Sequence, residues 1–87
     1  MSVVRPTANL DVAGAAALEK QLADASGDLV IDLSDVTFVA SSGLRVMLKV
    51  AQRLKSQGGQ LSISNPNDTV REVFRISGFA SVVPIED

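Results

Sequence analysis

The chain has 87 residues and a formal net charge of −2, is 46% hydrophobic, and contains no cysteine, histidine, tryptophan or tyrosine. That length makes one small domain with a thin core, in which a deep pocket is not expected. The missing residue types exclude disulfides, thiolate chemistry, the commonest metal ligand and the commonest general base. The mixed charge, with Phe38, Phe74 and Phe79 as the whole aromatic set, argues against nucleic acid as a partner. No apolar run approaches the length of a membrane span, and the N-terminus lacks a signal peptide's apolar stretch. With no cysteine, this is the pattern expected of a soluble cytoplasmic domain.

Ser2-Val3-Val4-Arg5 predicts a short strand that Pro6, which has no N–H to donate, must stop or confine to an edge. Thr7 to Asp11 is a turn, with Asp11 placed to cap a helix rich in Ala, Leu, Glu and Lys. Leu18, Leu22 and Ala25 form its apolar stripe, and Ser26-Gly27-Asp28 is expected to end it, with Gly27 at the left-handed cap position. Leu29-Val30-Ile31-Asp32-Leu33 is a short apolar run, the pattern of a strand covered on both faces.

Val36-Thr37-Phe38-Val39 predicts the end of a buried strand running into the turn Ala40-Ser41-Ser42-Gly43. From about Ser42 to Ser56 the period turns helical. Leu44, Met47, Leu48, Ala51 and Leu54 form one stripe, and Arg45, Lys49 and Arg53 a basic ladder beside it. Serine is a good N-cap type, so the hydroxyl pair has a capping reading as well as a functional one. Gln57-Gly58-Gly59 ends the helix, and Gln60 to Ser64 alternates as a strand with one covered face. Asn67 or Asp68 is placed to cap a third helix, with Val70, Val73, Phe74 and Ser77 on one side and Arg71, Glu72 and Arg75 on the other. Gly78 ends it, and Ser81 to Ile85 is expected as a last strand at an edge, given Pro84.

Strands joined through helices make a parallel or mixed sheet, so the expected fold is α/β, one domain over residues 1–87 with about four strands and three helices. No catalytic constellation emerges. A serine nucleophile lacks a histidine base, no phosphate-cradling loop is present, and Gly58-Gly59 leads into a strand instead of a helix. Asp11, Asp32 and Asp35 follow no metal-ligand spacing and are read as caps and turn formers, so no metal site or cofactor is expected.

The run Asp32-Leu33-Ser34-Asp35-Val36-Thr37-Phe38-Val39-Ala40-Ser41-Ser42-Gly43-Leu44-Arg45 resembles the signature of STAS domains, in particular bacterial anti-sigma factor antagonists. Asn9-Leu10-Asp11, Gln57 to Leu61, Val70 to Phe74 and Ser77-Gly78-Phe79 match further landmarks of that family, so the resemblance runs from about Val3 to Ile85. It implies a partner-switching role. The unphosphorylated antagonist binds an anti-sigma factor that is also a serine kinase, and so frees the sigma factor. The kinase phosphorylates the first serine of the motif, here Ser41, and a metal-dependent serine phosphatase reverses this.

Ser41 is favoured over Ser42 as the modified residue, and the partner surface implied comprises Asp11, Ala40, Ser41, Ser42, Gly43, Leu44, Arg45 and Lys49. Two departures stand out. Ala40 occupies the place of the family's aspartate, and the family's N-terminal strand and C-terminal helix look shortened or missing, which would favour self-association through an exposed edge. The resemblance also admits a second role, as an unphosphorylated scaffold or as a small subunit of a signalling or lipid-transporter complex.

Overall fold

The structure, a computed structural model, describes residues 2–86. Its elements are β1 (Ser2–Val4), α1 (Val12–Gln21), β2 (Asp28–Asp32), α2 (Ser41–Ser56), β3 (Gln60–Ser64), α3 (Asp68–Ser77), a 3-10 turn (Phe79–Ser81) and β4 (Ile85–Glu86). The strands form one sheet in the order β1-β2-β3-β4, every pairing parallel. Ile31 lies opposite Val4 and Ile63, and Ile63 opposite Ile85.

Because paired residues share a face, Leu29, Ile31, Leu61 and Ile63 project together into the core, where all four are buried. Helix α1 adds Ala15 and Leu18, and α2 adds Val46, Met47, Val50 and Leu54 at helical spacing. Helix α3 adds Val70 and Phe74, and the Phe74 ring stacks on Phe79 with centroids 4.5 Å apart. The other face carries Val3, Val30 and Ser62 in register and is open or half-open. β2 is therefore covered on one face, where coverage of both was expected. A run of apolar residues containing a single Val on the outer side looks the same in sequence.

Four boundaries differ from the sequence reading. Val36 to Val39 makes no ladder, only an isolated bridge between Leu10 and Val39. The turn after β2 deflects the chain: Asp32 Oδ1 accepts from Ser34 N at 2.9 Å and Val36 N donates to Leu33 O at 3.0 Å. The side chain of Asn9 then takes the backbone donors that a neighbouring strand would have taken. Helix α1 stops at Gln21, with Leu22 as its C-cap; Gly27 (φ 72°) instead turns the chain into β2.

Helix α2 starts at Ser41, so Ala40 is its N-cap and neither serine caps it. The expected last strand is replaced by the 3-10 turn, in which Val82 N and Val83 N both donate to Phe79 O, and pairing resumes only at Ile85. Asp11 and Asn67 do cap as their types suggest, accepting from Gly14 N at 2.8 Å and Val70 N at 2.7 Å.

Candidate functional site around Ser41

In a parallel sheet the carboxyl ends of all strands point one way, and ligands of open α/β folds gather beyond them. Helices α1, α2 and α3 each begin at that end, which brings Asp11, Ser41 and Asn67 to one pole of the molecule.

The segment leading to Ser41 is tied to the segment leading to α1. Leu10 N donates to Phe38 O at 3.0 Å, and Ala40 N donates to Leu10 O at 2.8 Å. Asn9 Oδ1 accepts from Thr37 N at 2.8 Å, from Thr37 Oγ1 at 3.2 Å and from Phe38 N at 3.3 Å. Gly43 seats α2 on this tie: a Cβ there would come 2.8 Å from Leu10 Cβ and 2.9 Å from Leu10 O. Gly14 does the same for α1, since a Cβ would lie 1.9 Å from Asn9 O. Both glycines are needed for close approach, with no demand on their own backbone angles.

The two hydroxyls end in different surroundings. Ser41, first residue of α2, is exposed and its side chain makes no hydrogen bond among the described residues. Ser42 Oγ is buried and unpartnered. The first turn of α2 contains no acidic residue and no side-chain cap, so its N-terminal N–H groups and positive dipole end lack a protein anion. Ala40 is half-buried and Gly43 buried beneath the serines, while Asp11 is exposed nearby at the start of α1. Leu44 is half-buried against the core and lines a small apolar groove with Leu48, Phe79 and Val82.

The basic ladder does not act as one surface. Arg53 turns inward and donates to Leu22 O at 2.6 Å and Ala25 O at 3.2 Å, satisfying carbonyls at the end of α1. Lys49 pairs with Glu19 at 2.7 Å, both well exposed, a contact worth little to stability. Arg45 is exposed and has no hydrogen bond or ion pair among the described residues.

Asp32, the last residue of β2, holds the turn that follows through its side chain. The Ser34 backbone N–H, aided by the Ser34 hydroxyl, holds its carboxyl below the usual range; Asn65 and the charge of Arg5 add to this against a small desolvation cost. Among the described residues no cluster of three potential metal ligands exists, and no helix is long and apolar enough to cross a membrane. A groove of about 310 Å³ lies at the opposite pole, lined by Asp28, Lys55, Gly58 and Gln60, remote from Ser41. The sequence reading missed Asn9, whose turn position hid a long-range acceptor role. It also missed Val12 and Phe38, apolar side chains left 76% and 52% exposed beside the serine segment.

A parallel sheet with α2 starting at an exposed serine defines the class: residues 1–87 match the STAS domain model, and the chain belongs to the STAS domain family. Among its relatives, BtrV of Bordetella bronchiseptica is 44% identical over 57 residues, covering 66% of this chain and 49% of BtrV. The anti-sigma-B factor antagonist of Bacillus subtilis is 33% identical over 79 residues, covering 87% of this chain and 72% of that protein. The chain thus spans about half of BtrV's length and nearly three quarters of the Bacillus protein's. A solved Thermotoga maritima structure matches with TM-score 0.91 at 24% identity, over 98% of this chain and 77% of that one. The unphosphorylated form of the anti-sigma factor antagonist SpoIIAA matches with TM-score 0.82 at 23% identity, over 97% and 78%. At these identities the structures establish the shared fold.

Proposed function

We propose that this chain is an anti-sigma factor antagonist whose binding is switched at Ser41. Unphosphorylated, it binds an anti-sigma factor with serine-kinase activity, so that the sigma factor is released; phosphorylated, it lets go. A metal-dependent serine phosphatase resets it. Relatives named as anti-sigma factor antagonists support the general role. The observation that carries the assignment to Ser41 is the contrast between the two hydroxyls: Ser41 is open to a kinase, and Ser42 Oγ is closed off.

The physical effect follows from charge. Phosphorylation adds about −1.5 to −2 charge at neutral pH. In the free domain that dianion sits at the vacant N-terminus of α2, where it is well accommodated. Inside an interface it must be desolvated and opposes any partner carboxylate. The switch therefore ejects the partner with little change in the domain itself. Ala40 stands where the family has aspartate, so any part that carboxylate plays in orienting the serine hydroxyl is missing here.

The test is titration calorimetry against the anti-sigma factor kinase of the same organism. Wild type and Ser41→Ala bind alike, and Ser41→Asp binds at least about tenfold more weakly. Equal binding of Ser41→Asp overturns the proposal.

A further inference from the structure

A groove lies between α1 and α2, beside the serine segment. That groove, of about 270 Å³, has Val12, Ala15, Ala16 and Glu19 on one wall and Arg45, Val46 and Lys49 on the other. Three features distinguish it. Its floor is apolar and its alanines are small, so an incoming side chain can reach the helix backbones. Val12 sits in the first turn of α1 with 76% of its surface in water, an arrangement that serves neither the core nor solubility. Its cations differ: Lys49 is paired with Glu19 at 2.7 Å, whereas Arg45 has no hydrogen bond or ion pair among the described residues.

The groove opens at the pole where α1 and α2 both begin; the Asp11 carboxylate caps the α1 end, so the uncapped positive end of α2 faces an occupant there. The opposing carboxylate at the mouth, Asp11, has Oδ1 engaged by Gly14 N at 2.8 Å. An aliphatic side chain fits the floor and a carboxylate fits beside Arg45 at the mouth; a basic segment suits neither Arg45 nor the uncapped end of α2.

We infer that the α1–α2 groove docks a protein segment carrying an aliphatic residue next to Asp or Glu, with Arg45 receiving the carboxylate and Val12 packing on the aliphatic side chain. This inference rests on reading the chain as a protein-binding antagonist, and it names the chemistry of what is bound. It also explains why two of the three ladder cations are internally engaged: Arg45 alone remains to set partner choice. A single exposed charge contributes more to encounter and specificity than to affinity, so salt weakens the contact.

The experiment is a titration of the isotope-labelled domain, followed by amide chemical shifts, with a synthetic capped hexapeptide alternating leucine pairs and glutamates. A second peptide has lysines in place of the glutamates. The expected result is saturable shifts at Val12, Ala16, Arg45 and Lys49 with the acidic peptide and none with the basic one. Arg45→Glu weakens binding about five- to tenfold. Val12→Asp, also a surface change, abolishes the shifts at Ala16. Equal response to both peptides, shifts centred instead on Leu44, Leu48 and Val82, or no shifts at millimolar peptide overturn the inference. None of these outcomes depends on Ser41 being phosphorylated, so a failure here is distinct from a failure of the switch.

Discussion

Asn9 Oδ1 accepts the backbone N–H of Thr37 at 2.8 Å, joining positions 28 residues apart across the mouth of the serine segment. The same oxygen takes the Thr37 hydroxyl and Phe38 N, so one side chain fixes the approach to Ser41 where no ladder exists to do it. Asn9→Ala should cost about 1 kcal/mol, since water replaces part of what is lost at these exposed groups. Hydrogen exchange is the sharper readout: the Thr37 amide should lose protection while Ile31 and Ile63 keep theirs. Asn9→Asp, which retains an acceptor, should behave like wild type.

Gly43 carries the second half of the clamp. An alanine gains about 1 kcal/mol of helix propensity. Its methyl, however, would meet Leu10 Cβ at 2.8 Å and the Leu10 carbonyl at 2.9 Å, and overpacking of this kind costs about 1–3 kcal/mol. Gly43→Ala should therefore lower stability in urea unfolding and shift the amides of Leu10 and Ala40.

Substitution at either serine should leave the domain no less stable, for different reasons. Ser42→Ala removes a buried hydroxyl with no partner, a group that costs about 1–3 kcal/mol when left unsatisfied, so the variant should be at least as stable as wild type. Ser41→Asp places a negative charge in a first turn that has none, four residues before Arg45. Stability should rise by about 0.5 kcal/mol at low salt, with part of the gain lost in an Arg45→Ala background. Thermal unfolding at two salt concentrations checks both.

The architecture was legible in the sequence because each core element carries its period. Leu29, Ile31, Leu61 and Ile63 alternate, and Met47, Val50 and Leu54 recur at helical spacing. The turn holding Ser41 and Ser42 stands out in the sequence through the motif that surrounds it. Misplaced were the features decided by contacts far apart in sequence. Val36 to Val39 has strand-forming residues, but its donors go to Asn9 instead of to a strand. Arg53 looks like Arg45 in sequence, and only the approach of α1 turns one inward to carbonyls and leaves the other free. The 3-10 turn begins at Phe79, whose ring stacks on Phe74 from the preceding helix.

Asp32 gives a pH dependence with a defined sign. Its carboxyl is held below the usual range by the Ser34 backbone N–H, so the folded state binds a proton less readily than the unfolded chain. The resulting stability is present above the ordinary aspartate value and disappears as pH falls through the lower folded-state value. Asp32→Ala should thus be less stable than wild type at neutral pH, and the gap should narrow steadily on acidification below the usual aspartate range. Unfolding curves at closely spaced pH values check this; a gap independent of pH contradicts it.

The switch at Ser41 is tested by phosphosite mapping with tandem mass spectrometry on the protein isolated from its native cells, with a Ser41→Ala strain alongside. Phosphate is expected on Ser41, absent in the alanine strain, with Ser42 unmodified. Phosphate on Ser42, or none on Ser41 under growth and stress conditions alike, would contradict it.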